Sequence, residues 1–370
     1  MSGAFDQHCM IRAVQLARRG LYTTDPNPRV GCVIAKHGQI IAEGFHARAG
    51  EPHAERHALA AAGEQAHGAT AYVTLEPCSH TGRTGPCAAA LIQAGVARVV
   101  AAMEDPNPQV AGNGFRALRE AGIAVEIGLQ ENDARALNPG FIRRMRGERP
   151  YIRIKAAASL DGRTAMASGE SQWITGPAAR EDVQRLRARS SAIITGIGTV
   201  LADRPSYTVR PAQWTLADYG SDTVRQPLRV ILDRRLRTPA DAPVVTAEGR
   251  CLIVGGQAHP GRESALQAAG AEVMHRPASE SGGDLQALLA ELARRECNEI
   301  LVECGATLAG AFVREGLFDE LIVYLAPTLL GSDARGLFAL PFARMVERVP
   351  LQWRDVRRVG DDLRVTLIPA

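Results

Sequence analysis

Short apolar runs alternate with amphipathic stretches along the 370-residue chain, and that alternation restricts its fold more than any other feature. Residues Asp6 to Arg19 carry apolar positions at helical spacing, followed by the turn DPNP at Asp25 to Pro28. VGCVIA and QIIAEGF flank the turn KHG, the pattern of a hairpin, and HAERHALAAAG predicts a helix from His53 with Gly63 at its C-cap. There follow a strand (ATAYVTL), a helix stopped by Gly95 (CAAALIQAG), a strand (ARVVAAM), a helix from Gly114 to Ala121, a strand (AVEI) and a helix from Asn132 to Met145. Such alternation implies a largely parallel sheet covered by helices, an α/β fold.

RGERP, Arg146 to Pro150, is short, charged and ends in a helix-breaking proline, so the spacing predicts domains at 1–147 and 148–370. The second is another α/β unit, with strands at YIRIKAA, SAIITG, LRVILD, CLIVGG, AEVMH, EILVEC, ELIVYLAP and LRVTLI. DPNP recurs at Asp105 to Pro108, so two turns of one chemistry are expected to flank one mouth of the first domain.

No apolar run approaches the length that spans a bilayer, and the charged, amphipathic N-terminus lacks a secretion signal's apolar core. A cytoplasmic protein without a membrane partner is expected. Seven cysteines, an odd number, fit reduced thiols and metal ligation better than a disulfide framework. A net charge of +3 is too small to predict nucleic-acid binding, which favours small-molecule partners. Of 43 basic residues only Lys36 and Lys155 are lysines. Lys36 sits at the hairpin tip. Lys155 falls in a strand expected to be buried, where a compact ammonium is costly unless it serves a partner or substrate.

Seven of nine histidines and four of seven cysteines precede residue 88, which assigns any metal chemistry to the first domain. The cysteines of PCSHTGRTGPC, Pro77 to Cys87, match neither a CxxC redox pair nor a common zinc finger. Together with GEPHAERHAL they offer His53, Cys78 and Cys87, one nitrogen and two thiolates that suit zinc and leave a fourth position for water. Each follows a proline, and His53 and Cys87 are expected to open helices whose positive ends face the metal. Glu55 is expected to shuttle a proton to a leaving amine without ligating. A zinc that only staples the fold would need a fourth protein ligand, for which His57, one turn beyond His53, is the candidate. His8, His37 and His67 read as surface residues.

The HxE and PC-plus-Cys arrangement is that of zinc-dependent nucleobase deaminases. The extended loop resembles that of riboflavin-pathway pyrimidine deaminases. With PNPRVG, GEPHAE, YVTLEPC, IKAAASLDGRTA, SGESQWIT, GIGTVLADRPSYTVR, VECGATLAGA and YLAPTLLGSDARG, the chain resembles the bifunctional deaminase and reductase family of riboflavin biosynthesis. The resemblance implies a cytidine-deaminase-like three-layer α/β/α domain followed by a dihydrofolate-reductase-like α/β domain. It implies one Zn2+ per chain, NADPH, phosphoribosyl pyrimidine substrates and a homo-oligomer through the reductase domain.

Residue by residue, the resemblance carries over Asn27, His46, His80 and Arg83 as substrate contacts of the deaminase. Asn27 can donate and accept at a pyrimidinone edge or ribose, and His80 and Arg83 can hold a phosphate; the alternative is that SHTGRTG is only a polar loop. In the second domain it implies catalytic roles for Lys155 and Asp203 at the sugar ring oxygen. It implies cofactor contacts at Ala157, Trp173, Thr199, Asp203, Gly305, Thr307, Leu308 and Gly310, the last four around the phosphates. Ser171, Arg187, Tyr207, Arg210 and Glu303 match the substrate pocket, with the two arginines gripping a 5′-phosphate. The alternatives are that Trp173 belongs to the core and that Arg187 is a solvated helix charge. Arg234 stands where several relatives carry serine, and suits a 2′-phosphate. There is no GxGxxG near a first strand, so the Rossmann fingerprint is absent. An RNA-editing deaminase is disfavoured by sparse aromatics and near-neutral charge, and a zinc-stabilised binding protein would leave Glu55 idle.

Overall fold

The structure, a computed structural model, describes residues 3–79, 85–108, 110–210, 225–256, 259–276 and 284–370. These fall into two compact units, 3–148 and 149–370.

In the first unit the order is α1 (Gly3–Arg18), β1 (Gly31–Lys36), β2 (Gln39–Phe45), α2 (Ala54–Ala62), β3 (Thr70–Val73), α3 (Cys87–Gln93), β4 (Arg98–Ala101), α4 (Asn113–Glu120), β5 (Ala124–Ile127), α5 (Glu131–Leu137) and α6 (Pro139–Met145). The sheet runs β2-β1-β3-β4-β5. It is mixed, which corrects the largely parallel expectation: β1 pairs antiparallel with both β2 and β3, while β3, β4 and β5 are parallel. His37 and Gly38 both take positive φ in the turn between β1 and β2, the left-handed conformation a tight hairpin requires.

Two glycines place helices on opposite faces of this sheet. Gly31 pairs with Phe45 and Gly44 with Cys32, so the two glycines lie one residue out of step and point opposite ways. A Cβ on Gly31 would meet Ala13 O of α1 at 2.0 Å, and one on Gly44 would meet Ala54 O of α2 at 2.3 Å. The outcome is a three-layer α/β/α unit whose core runs from Met10 and Val33 to Phe115 and Phe141.

The helix expected over Asn132 to Met145 is two. Pro139 supplies no amide and pushes Asn138 out of the α region (φ −126°, ψ 39°), breaking α5 from α6. The freed Asn138 side chain exchanges hydrogen bonds with the Arg29 backbone, 2.8 and 2.9 Å, and so anchors the loop ahead of β1.

The second unit contains β6 (Tyr151–Ser159), β7 (Arg163–Ala165), α7 (Pro177–Arg189), β8 (Ala192–Gly196), α8 (Ile197–Asp203), β9 (Leu228–Leu232), α9 (Pro243–Thr246), β10 (Cys251–Gly255), α10 (Pro260–Ala268), β11 (Glu272–His275), α11 (Asp284–Arg294), β12 (Glu299–Val302), α12 (Ala306–Arg314), β13 (Glu320–Ala326), β14 (Arg335–Gly336), β15 (Leu351–Val359) and β16 (Asp362–Pro369). Nine strands form one sheet ordered β11-β10-β9-β8-β12-β6-β13-β16-β15, and β7 pairs with β14 apart from it. Seven strands are parallel; β16 and β15 close the edge antiparallel. Alternate residues feed two cores. Ile152, Ile154, Ile194, Val230 and Ile300 face one side, and Ile193, Ile231, Ile253, Leu301 and Ile322 the other. Sequence patterning missed β15, because LQWRDVRRV exposes residues on both faces and shows no apolar alternation.

Gly31→Ala is expected to destabilise the first unit by about 1–3 kcal/mol through overpacking against α1. Urea unfolding of the full chain followed by probes in each unit checks this.

Candidate functional sites

Strand directions bring the first site together. The entry to β1 lies beside the exits of β2 and β3, since Gly31 pairs with Phe45 and Cys32 with Val73. Parallel β4 leaves the sheet at the same edge. The loop holding Asn27, the segment leading from β2 to α2, the Pro77–Cys78 step after β3 and the second DPNP turn after β4 therefore converge, as the recurrence of that turn led one to expect.

His53 is the N-cap of α2, and Cys87 is the first residue of α3. His53 Nδ1 lies 3.6 Å from Cys78 Sγ and 3.4 Å from Cys87 Sγ, and the three ligand atoms lie within 4.8 Å of one another. The Cys87 N–H donates to Cys78 Sγ at 3.3 Å. Bonds from Cys87 and His53 hold the Cys78 thiol well below the usual thiol range, whereas Cys87 beside that sulfur, and buried, is pushed up. Exposed His57 is not part of this group.

Glu55, in the first turn of α2, is 3% exposed, and burial pushes its carboxyl up to about 7. Its Oε2 is buried and, among the described residues, has no hydrogen-bond partner. An orphaned carboxylate oxygen beside two sulfurs and an imidazole is costly for a protein alone. A divalent cation with a polar ligand on its open side resolves that cost, so these residues fit zinc.

His46, expected to touch substrate, is 2% exposed with both ring nitrogens engaged. Nδ1 lies 3.1 Å from Pro52 O, which can only accept, so Nδ1 carries the proton; Nε2 accepts from Asn27 Nδ2 at 3.1 Å. His46 thus reaches a ligand only through Asn27. His80 and Arg83 lie outside the described residues. Sequence reading also missed Arg56, whose Nη2 donates to Gly85 O at 2.8 Å, and Glu76, a buried acid at the exit of β3.

In the second unit, half-buried Lys155 of β6 stands 5.9 Å from the centre of the Tyr324 ring. Burial pushes its ammonium pKa down, and Glu303 opposes that shift. Tyr324 is itself fixed by donating to Asp182 Oδ2 at 2.6 Å, which also accepts from Arg364 at 2.8 Å. Arg187 is neither solvated nor free to grip a phosphate with its whole fork. It makes two bonds to Glu303, 2.7 and 3.0 Å, over the face of Tyr207. The Tyr207 hydroxyl donates to Glu303 O at 2.9 Å. Arg210 is exposed and bonds Ser206 Oγ at 3.3 Å.

Trp173 is 70% exposed and carries the Arg180 guanidinium 4.7 Å from its ring centre, so it is not core. Ser171 lies half-buried two residues before it, and Ala157 is half-buried in β6. Thr199 of α8 faces Gly305, the N-cap of α12: a Cβ there would stand 3.8 Å from Thr199 Oγ1. Leu308 likewise approaches Gly196, while Thr307 is exposed. Gly310 departs from the phosphate expectation. It is buried inside α12, where a Cβ would meet Ala339 O at 2.4 Å, so its bareness serves packing. Asp203 ends α8, and partial burial raises its carboxyl pKa; among the described residues no hydrogen bond joins it to Lys155. Arg234 O accepts from Gly256 N at 3.1 Å.

The two units define a class: a zinc-region deaminase fused to a reductase. Residues 4–103 match the cytidine and deoxycytidylate deaminase zinc-binding region, and residues 150–365 match the RibD C-terminal domain. The chain is 52% identical to the riboflavin biosynthesis protein RibD of Escherichia coli K12, over 99% of this chain and 100% of that protein. It is 48% identical to that of Haemophilus influenzae, over 97% and 96%. Among solved structures, Acinetobacter baumannii RibD superposes with a TM-score of 0.91 at 50% identity, covering 99% of both chains. A Thermotoga maritima diaminohydroxyphosphoribosylaminopyrimidine deaminase/5-amino-6-(5-phosphoribosylamino)uracil reductase gives 0.85 at 32%, again covering 99% of both. The chain belongs to the RibD family of riboflavin biosynthesis proteins, bifunctional enzymes that join a zinc-dependent deaminase to an NADPH-dependent reductase.

Burial alone would raise the Glu303 carboxyl, but the Arg187 charge and hydrogen bonds hold it below the usual carboxylate range. Arg187→Ala strands that buried charge and is expected to cost about 3–5 kcal/mol in urea unfolding. A carboxyl lowered on folding stabilises above its unfolded value, about 4.3, and stops doing so as pH falls through its folded value. The difference from wild type should therefore be largest at neutral pH and shrink below about pH 4. Arg210→Ala, at an exposed site, should change stability little.

Proposed function

We propose that the first unit hydrolytically deaminates 2,5-diamino-6-(5-phosphoribosylamino)pyrimidin-4(3H)-one, and that the second reduces the ribosyl group of 5-amino-6-(5-phosphoribosylamino)uracil to ribityl. The observation that carries the reading is the convergence of His53 Nδ1, Cys78 Sγ and Cys87 Sγ beside a buried carboxyl with one unpaired oxygen. Those three residues would hold zinc, which as a Lewis acid brings the ionisation of a coordinated water to about pH 7. Glu55, buried beside the three ligands, takes the water proton and returns it to the exocyclic amine. A C–O bond forms, the C–N bond breaks and ammonia leaves. Asn27 orients the substrate, with its amide held by His46, and His80 and Arg83 bind its phosphate.

In the second unit a bound NADPH would supply hydride to C1′, whose bond to the ring oxygen breaks. Lys155 and Asp203 handle the proton at the sugar ring oxygen, and Arg210 meets the 5′-phosphate while Arg187 and Tyr207 hold Glu303 in place. Ser171 lines the substrate side. Ala157, Trp173, Thr199, Gly305, Thr307 and Leu308 receive the cofactor, with Arg234 toward its 2′-phosphate.

The same reading makes the protein a cytoplasmic homo-oligomer. All seven cysteines are free thiols, and among the described residues no helix is long and apolar enough to cross a membrane. Edge strand β15 supports assembly through the second unit. Trp353 and Val356 share a sheet face with Leu363 and are 72%, 55% and 40% exposed, large apolar side chains on the outer strands that a second copy would cover.

Glu55→Ala is expected to lower ammonia release by about 10²–10⁴-fold with zinc still bound. Lys155→Ala should abolish NADPH oxidation with the deaminated substrate and leave deamination intact. Mass identification of products with and without NADPH reads both. Trp353→Arg combined with Val356→Arg should shift sedimentation to a smaller species; an unchanged coefficient refutes assembly through this edge.

A further inference from the structure

We propose that Glu76 is a positioning residue of the deaminase half, whose carboxylate fastens the β4–α4 connection to the backbone carrying Cys78 and thereby sets the metal ligand's geometry. The inference rests on His53, Cys78 and Cys87 being zinc ligands.

Glu76 stands two residues before Cys78 and is 3% exposed. Main-chain donors fill both its oxygens. Oε2 accepts from the N–H of Asp105 and of Gly112, each at 3.0 Å, and Oε1 from Gly114 at 2.8 Å and Phe115 at 3.4 Å. Gly114 and Phe115 lie in the first turn of α4, where amides have no intrahelical acceptor, and the N-cap Gly112 has no side chain to offer. Glu76 therefore caps a helix from the segment that follows β3, with its negative charge at the helix's positive end. Among the described residues, its hydrogen-bond partners are four donors and no acceptor. A glutamine of the same size would turn its own N–H groups against some of them.

The backbone is gripped from the other side as well. A Cβ on Gly114 would lie 2.0 Å from Pro77 O, so α4 begins in direct contact with the peptide between Glu76 and Cys78. Beyond it, Ala88 N donates to Cys78 O at 3.1 Å, and Cys87 N to Cys78 Sγ at 3.3 Å. Cys78 is thus held between the starts of α4 and α3, and Glu76 supplies the charge on the α4 side. Partners that orient a ligand in this way typically alter metal affinity or activity by about 10- to 100-fold when replaced.

The test compares full-length wild type, Glu76→Gln, Gly114→Ala and the double variant by zinc affinity in chelator competition and by amide hydrogen exchange. NADPH-dependent reductase turnover serves as a control for folding of the other unit. Glu76→Gln is expected to weaken zinc binding by about 10- to 100-fold. It should also speed exchange at Asp105, Gly112, Gly114 and Phe115 with reductase turnover unchanged. Gly114→Ala should weaken zinc binding too, and the double variant by less than the product of the two factors. Wild-type zinc affinity in Glu76→Gln despite faster exchange would overturn the proposal, as would independent effects in the double variant. Should Glu76→Gln not fold, wild-type zinc affinity in folded Gly114→Ala overturns it equally. The underlying metal reading fails separately, if His53→Ala leaves wild-type zinc affinity unchanged.

Discussion

The first unit depends on how β3 is paired, antiparallel to β1 on one side and parallel to β4 on the other. That arrangement sends the entry of β1 and the exits of β3 and β4 to one edge of the sheet, and the hairpin β1–β2 brings the segment leading to His53 there too. Register matters as much as direction. A slip of one residue would exchange the faces of Gly31 and Gly44, leaving α1 and α2 no room to approach. Ligand convergence is thus a consequence of sheet packing.

The two units handle buried charge in opposite ways. In the second, Arg187 and Glu303 satisfy each other over Tyr207, and Lys155 is left with an aromatic face and a distant carboxylate. The first unit leaves a buried carboxyl oxygen unpaired beside a cluster of two sulfurs and an imidazole whose donor set suits a bound cation. At Glu55 a local rule of polar satisfaction is broken where the chemistry is expected.

Much of this was legible in residue spacing. The hairpin at Lys36 to Gly38 announced itself through turn chemistry, and His53 with Glu55 and the two Pro-Cys steps read as a metal set because ligand chemistry depends on residue type. Asn138–Pro139 was equally readable as a break, yet helical periodicity on both sides concealed it. β15 carried no signal, because an edge strand open to solvent is under no pressure to alternate.

Roles that depend on neighbours were less legible. His46, Arg187 and Gly310 sit in motifs that imply ligand contact, but the fold occupies them with Asn27 and Pro52, with Glu303, and with Ala339. Glu76 carried no expectation from the sequence and proved to be a helix cap. By itself, the sequence determined which atoms could bind a metal and where most strands and helices begin, because these follow from side-chain chemistry and short-range periodicity, and its motifs carry the family resemblance. Only the tertiary structure decided which polar groups are already satisfied and which remain for a ligand, because hydrogen-bond partners more than a hundred residues apart meet only through strand order and register.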